Sequence, residues 1–207
     1  MQVDVLADFD GFADQHFDDN VGDFVYVLGS SSATSFTIGY KATLVDPLLH
    51  DYYYRGGLDF LNFTGVTAGS TVSAVDLVIR TTSQDGSGGD FDVRKASDPT
   101  RFSLLSDPQT FWNSAETGTT LYATTSLAIA APHIYVIPLG ATIVADVQAR
   151  VGIASNPLSI GISEVDITSV RRFVQSVDAG STNPALRVTF TPPPGSGGTT
   201  HGRIVRL

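Results

Sequence analysis

Apolar and polar positions along this chain alternate in short runs, separated by clusters of Gly, Ser, Asn and Pro. That is the period of half-buried strands between turns. In residues 24–29, Phe24, Tyr26 and Leu28 alternate with Val25 and Val27 up to Gly29. Residues 35–40 follow a serine-rich turn, and 52–60 make a longer run. Across 71–80, Val72, Ala74, Leu77 and Ile79 recur so that one face can be buried. The Gly-rich stretch 84–89 reads as a turn, from which 91–95 returns as a hairpin. Runs at 121–125, 134–139, 158–163 and 186–191 bring the expectation to about nine or ten strands. One segment departs from the period: in 141–151, Ile143, Val147 and Val151 recur every fourth residue, with Asp146 and Arg150 on another face. That spacing predicts a short helix, and the β-branched Ile143, Val144 and Val147 leave a strand as the competing reading. Together the pattern predicts an all-β fold: an antiparallel two-sheet β-sandwich of jelly-roll type, with one short helix and extended terminal arms.

Three zones follow from the distribution of charge and of Pro and Gly. Residues 1–22 read as an acidic N-terminal arm, carrying Asp4, Asp8, Asp10, Asp14, Asp18 and Asp19 and no Lys or Arg. Residues 23–191 are the β-sandwich domain. From Pro192 the sequence PPPGSGGTTHGRIVRL gives a stiff triple proline, a flexible Gly/Ser stretch and a basic-apolar hook. In that hook Arg203, Ile204, Val205, Arg206 and Leu207 alternate charge with apolar side chains, which suits adding a strand to a neighbour's sheet. These five are the candidate partner-docking residues.

Composition narrows the partners. The 207 residues suit one all-β domain, and 42% apolar residues supply a core. Only 16% are charged, lysines are scarce, and the polar surface falls to Ser, Thr, Asn and Gly, as in β-rich exterior proteins. A net charge of −9 argues against nucleic-acid binding, which needs clustered Lys and Arg on phosphates. No apolar run approaches the roughly 18 residues of a membrane span, so membrane insertion is not expected. The opening MQVDVLADFDGF lacks the basic and apolar regions of a signal peptide, so synthesis in the cytoplasm is expected. There is no cysteine, and stability must come from the core or from assembly.

Several ordered motifs resemble the DNRLRE-type β-sandwich domains of bacterial surface proteins, polysaccharide-active enzymes and some phage structural proteins. They are Tyr54-Arg55-Gly56-Gly57-Leu58-Asp59-Phe60, Gly69-Ser70-Thr71-Val72-Ser73-Ala74-Val75-Asp76-Leu77, and Phe111-Trp112-Asn113 followed by Thr117-Gly118-Thr119. Asp146-Val147-Gln148 sits where that family carries a short helix, and Asn183-Pro184-Ala185-Leu186-Arg187-Val188-Thr189-Phe190 is similar to its closing strand. The likeness covers about residues 23–191. It departs near 173–177, where Ser176 is followed by Val177 and not by an acid. The resemblance implies a jelly-roll sandwich, and structural or carbohydrate-binding work.

Few residues offer chemistry. His16, His50, His133 and His201 are scattered without metal-ligand spacing. Asp85-Gly86-Ser87-Gly88-Gly89-Asp90 echoes a serine-protease segment, but a nucleophile needs a base within reach and a Gly-rich turn explains it. Asp85, Asp90 and Asp92 are candidate ligands of a structural Ca²⁺, with Asp8, Asp10 and Asp14 a second set, although neither matches an EF-hand. No other cofactor is implied. Tyr52, Tyr53, Tyr54 and Trp112 could make a sugar-stacking platform; strand alternation sends Tyr53 opposite to Tyr52 and Tyr54, so one face is core packing. Tyr53 and Trp112 are the candidate glycan contacts, although a lone Trp in a sandwich is more often core. Glu116 and Glu164 are the only glutamates and give no convergent acid pair for glycoside hydrolysis.

The expected role is therefore non-enzymatic. The chain reads as a virion structural protein of a tailed bacteriophage: an exterior decoration, spike or fibre-base subunit on capsid or tail. It would associate with itself, as in a trimer, with other virion proteins, and with host polysaccharide. The competing reading is a non-catalytic carbohydrate-binding module of a bacterial surface or secreted protein.

Overall fold

A computed structural model describes residues 1–18, 23–29, 35–45, 48–86, 89–96, 101–116, 120–165, 171–175 and 183–195. In it the alternating runs become one curled antiparallel sheet. Its strands are β1 (Gln2–Leu6), β2 (Phe9–Asp18), β3 (Asp23–Gly29), β4 (Ser35–Val45), β5 (Leu48–Asn62) and β6 (Thr71–Asp85). They continue with β7 (Asp90–Lys95), β8 (Thr120–Ser126), β9 (His133–Leu139), β10 (Ala154–Glu164), β11 (Arg171–Gln175) and β12 (Ala185–Thr191). Two short helices, α1 (Pro108–Glu116) and α2 (Ala141–Gln148), and a 3-10 turn at Phe102–Leu104 accompany them. The all-β, antiparallel, sandwich-like class expected from the alternation is the class observed.

The two longest strands organise the layers. β6 carries β9 along one side and first β12, then β11, along the other. β5 carries β2 along one side and β10, then β4, along the other. One layer is therefore β1-β12-β6-β9 and the other β3-β2-β5-β10-β7-β8, and β11 pairs with β4 to join them. At that join Gly39 takes a φ of 110°, a conformation a side chain resists. Residues 35–39 pair with β11 and residues 39–45 pair with β5, so the crossing from one layer to the other is made at this glycine.

Between the layers lies one apolar core. Leu58, Phe60, Leu158 and Ile160 come from one layer and Leu77, Ile79, Leu186 and Val188 from the other. Ile143 and Val147 of α2 close the core, as their fourth-residue spacing predicts. Gln148 then fastens that helix, accepting from Val72 N at 2.8 Å and donating to the Ser70 carbonyl at 2.9 Å.

A second, smaller core sits on the outer face of the β5 layer. Gly11 lies opposite Gly57, and Gly57 opposite Gly161, so three neighbouring strands present bare backbone in a row. A methyl group on Gly57 would sit 2.5 Å from the Phe102 ring, and one on Gly161 would strike the Ala115 carbonyl and lie 2.6 Å from its Cα. The row is therefore a trough that seats the 3-10 turn and α1, with Phe102, Phe111, Trp112 and Ala115 buried over Ala13 and Ala96. Asp59, fully buried beside the trough, holds the turn in place. Its carboxylate accepts from Phe102 N at 3.0 Å, Ser103 N at 2.8 Å and Ser159 Oγ at 2.6 Å.

Three expectations are corrected here. The segment expected as an acidic arm is built into the sheet as far as Asp18: β1 pairs with β12 and β2 with β5 and β3. Its acids serve the pairing, for Asp4 meets Arg187 at 3.0 Å and Asp8 accepts from Leu61 N at 2.7 Å. Strand β7 does not return on β6 as a hairpin; it crosses to the other layer and pairs with β10 and β8. Finally, the stretch around Trp112 is a helix, the second in the fold, begun by Asp107 and Pro108. Asp107 accepts from Thr110 N at 2.7 Å as an N-cap, and Pro108 supplies a preset φ at the first helical position. The C-terminal hook, including Arg203–Leu207, lies outside the described residues.

Three outcomes follow. Gly161→Ala must lift α1 off the sheet and should cost about 1–3 kcal/mol. Gly65→Ala, whose added carbon meets only Val3 Cγ2 at 3.4 Å, should stay within about 0.5 kcal/mol of the parent, both variants being compared with it by urea titration. The Thr110 donors hold the Asp107 carboxyl below its ordinary value of 3.8. Its contribution is thus complete above that value and is lost as pH falls through the folded one. Asp107→Ala should accordingly lower the melting temperature at neutral pH, and the gap from the parent should close in strong acid.

Candidate functional site

The alternation of β5 gives its two faces different fates. Tyr53 and Arg55 point to the outer face beneath α1, while Tyr52 and Tyr54 project from the opposite one. On the outer face Trp112 is enclosed: the Arg55 guanidinium lies 3.8 Å from the centre of its ring, and Tyr53 and Tyr26 meet it edge-on at 6.5 and 6.0 Å. With only 4% of Trp112 exposed, it has no open face for a sugar. The Tyr53 and Trp112 pair expected to touch glycan is thus an interior contact that fixes α1 to β5, and Arg55 adds a cation–π contribution to it.

The other face carries a different constellation, assembled by cross-strand register. Val27 lies opposite Asp14, Asp14 opposite Tyr54, Tyr54 opposite Gly39, Gly39 opposite Arg171, and Arg171 opposite Asp85. Directly paired residues are cross-strand neighbours, so this is a continuous row across six strands that turns from one layer to the other at Gly39. The neighbouring row is Val25, His16, Tyr52 and Lys41. Tyr52 and Tyr54 are half-buried and near-parallel, with centroids 6.5 Å apart and planes at 16°. The His16 ring continues the series 5.1 Å from Tyr52, and Phe12 sits 6.1 Å from Tyr54.

Gly39 leaves a gap in the row that the Arg171 side chain fills. Its guanidinium lies 5.6 Å from the Tyr54 ring and 4.6 Å from the Phe173 ring, and it pairs with Asp85. His16 Nδ1 is 3.3 Å from Asp14 Oδ1. Burial raises the Asp14 carboxyl above its ordinary value, with His16 opposing, and burial likewise raises the Tyr54 hydroxyl, with Arg171 opposing. The Tyr54 hydroxyl thus keeps its proton at physiological pH, beside two carboxylates, an imidazole and a guanidinium.

The remaining polar candidates are occupied by the fold. Asp92 accepts from Arg94 at 2.6 Å and from Thr124 Oγ1 at 2.6 Å, and Asp85 is held by Arg171. Asp90 stands exposed at the start of β7, opposite Ser126. Asp85, Asp90 and Asp92 therefore do not converge, and among the described residues no group of three His, Cys, Asp or Glu could hold a metal ion. Asp8 and Asp14 of the second proposed set serve Leu61 N and His16, while Asp10 is buried within β2. His133 packs edge-on against Tyr135 at 4.6 Å. Ser87 and His201 lie outside the described residues. Around α2, Asp146 receives Lys95 at 2.7 Å and the Tyr122 hydroxyl at 2.7 Å. Burial, then that bond, pushes the Tyr122 pKa up, which keeps it a donor and the cluster a structural tie.

A cavity of about 350 Å³ opens where β3 ends beside β2, between Phe9, Phe12, Leu28, Phe102, Leu105 and Phe111. Its walls belong to the trough that seats the 3-10 turn and α1.

No protein-family model matches the chain, and no curated protein matches it in sequence. The residues that sequence reasoning missed are Arg171 and His16 as neighbours of the tyrosines. Their signal lay in unrecognised strands, β11 and β2.

The single tryptophan supplies a test. Native fluorescence should be blue-shifted, resist iodide and stay unchanged when saccharide is added, then shift red and become quenchable on unfolding. Iodide quenching of the native protein as strong as that of free tryptophan would contradict an enclosed Trp112.

Proposed function

We propose that this chain is a non-catalytic structural subunit of the exterior of a tailed-phage virion: a decoration, spike or fibre-base protein. The observation that carries the reading is the outer face of the β1-β12-β6-β9 layer. Leu6, Ala185, Val78 and Val136 are paired in register across that face, while Val5, Leu186, Leu77 and Ile137 point into the core. Leu6 is 54% exposed and Val136 47%, with Ile134 at 50% two residues from Val136, while Ala185 and Val78 between them are buried. Large apolar side chains left exposed on the two outer strands of the layer, β1 and β9, favour cover by another subunit.

The register supports a second copy as that cover. The row next to the apolar one is Asp4, Arg187, Asp76 and Pro138. A two-fold axis parallel to the strands, between β12 and β6, would set Leu6 against the partner copy's Val136 and Arg187 against its Asp76. Such an arrangement is isologous and closes on itself. A kinship of the body with DNRLRE-type domains would fit the same role, and the hook at Arg203–Leu207 would add attachment to other virion proteins. Assembly on the virion exterior would follow synthesis in the host cytoplasm.

The alternative, a carbohydrate-binding module of a bacterial surface or secreted protein, is favoured by the tyrosine row on the opposite layer. Sedimentation velocity separates the two. The parent should form oligomers in a concentration-dependent manner, and Leu6→Asp with Val136→Asp should give monomers with a near-parental melting temperature. A parent that stays monomeric at every concentration would overturn the assembly reading.

A further inference from the structure

We infer that the face formed by β2, β5, β4 and β11 is a binding site for a neutral oligosaccharide, with Tyr52 and Tyr54 as the stacking rings. The inference deepens the glycan contact expected of an exterior protein. It concerns a different face from the assembly surface and stands or falls separately from it.

Three observations carry it. First, the rings are presented as a series: Tyr52 and Tyr54 stand near-parallel on one strand, and His16 follows at 5.1 Å. Flat rings can bury the C–H faces of sugar rings, and the Tyr54 hydroxyl, hydrogen-bonded with Arg171, sets a polar group beside them for sugar hydroxyls. Second, the groups around the rings include both kinds of hydrogen-bonding partner. Asp14 and Asp85 accept, while Arg171 and Lys41 donate, all in register with the tyrosines. Sugar hydroxyls both donate and accept, so a saccharide can use every one of them. Third, the row is long: four strand-to-strand steps lead from Asp14 to Asp85, a path of ~19 Å along the curled sheet at the usual strand spacing.

The same groups disfavour the other ligands that aromatic rows take. Single-stranded nucleic acid or an anionic glycan would bring charge against Asp14 and Asp85 on a chain of net charge −9. Arg171, moreover, is already paired with Asp85. A proline-rich peptide would stack on the rings, but proline has no N–H to give to the two carboxylates. A neutral saccharide is the class that leaves none of them unmatched.

The test uses the full chain labelled with ¹⁵N, titrated with cellohexaose, maltohexaose and mannohexaose, with polygalacturonate, and with a poly-L-proline peptide. At least one neutral hexasaccharide should bind, with amide shifts centred on Asp14, His16, Gly39, Tyr52, Tyr54 and Arg171. Tyr54→Ala should weaken that binding about tenfold, and Tyr53→Phe, on the opposite face, should leave it unchanged. Arg171→Gln should also weaken it, and serves as the second variant where Tyr54→Ala unfolds. Three results would overturn the inference: no binding by any neutral hexasaccharide, shifts centred elsewhere, or tighter binding of polygalacturonate or poly-L-proline at this face. None of these results bears on whether the chain assembles.

Discussion

The fold rests on an absence of side chains at three neighbouring points. Gly11, Gly57 and Gly161 are paired in register, and together they let a helix and a 3-10 turn lie directly on the backbone of a sheet. Any other residue at the centre of that row would hold α1 off by the radius of a methyl group, and Phe102, Phe111 and Trp112 would lose their floor. The weakness of a glycine-rich strand, its conformational freedom when unfolded, is offset by what the trough admits. Asp59 completes the arrangement, because a buried carboxylate with three donors is satisfied only when the 3-10 turn is in place. Trough and carboxylate thus each require the turn seated between them.

That constraint reaches the candidate site through strand parity. Once α1 occupies the outer face, Tyr53 and Arg55 must enclose Trp112, and Tyr52 and Tyr54 must face the other way. A one-residue slip of β5 would exchange the two sets and put Leu58 and Phe60 under the helix. Gly39 then completes the site from the other direction. By carrying β4 from one partner to the other, it lays β11 alongside and brings Arg171 over a ring otherwise distant in sequence. Two glycine devices, one for seating and one for crossing, therefore set where the tyrosines point and what stands beside them.

Sequence reading recovered what depends on local period. The strands with strong alternation, such as β6 and β12, stand where the pattern places them, and the four-residue spacing of Ile143 and Val147 marks α2. It failed where a local signal was outweighed or unread. The aspartates of β1 and β2 suggested a solvated arm, because composition conceals that Asp4 and Asp8 each face a specific donor from a distant strand. Helix α1 had a readable start in Asp107-Pro108, an N-cap followed by a preset φ, but the one helix expected was placed at 141–151. β11 is short, begins with two arginines, and owes its place to pairing with β4 and β6. For the tyrosines, the two faces of β5 were legible, but which one is covered by a helix is a tertiary fact. Of the two readings of Trp112, core residue and glycan contact, the core one holds.

The same tertiary view changes the meaning of the chain's acidity. The sequence has only two glutamates among its acids, and the aspartates serve as fasteners at separate places. Asp4 ties β1 to Arg187 of β12, Asp59 holds the 3-10 turn, Asp92 bridges Arg94 and Thr124, Asp107 caps α1, and Asp146 gathers Lys95 and Tyr122. A short side chain suits these tasks, since it loses less rotamer freedom than glutamate and reaches a backbone N–H or a cross-strand partner without slack. A negative net charge built this way is distributed through the pairing of the strands, and no pole for cationic partners follows from it. On the tyrosine face, where Asp14 and Asp85 border the rings, that charge does bear on what can approach. There the carboxylates are matched by His16 and Arg171, so the face offers hydrogen bonds of both senses and repels only a ligand that brings further negative charge.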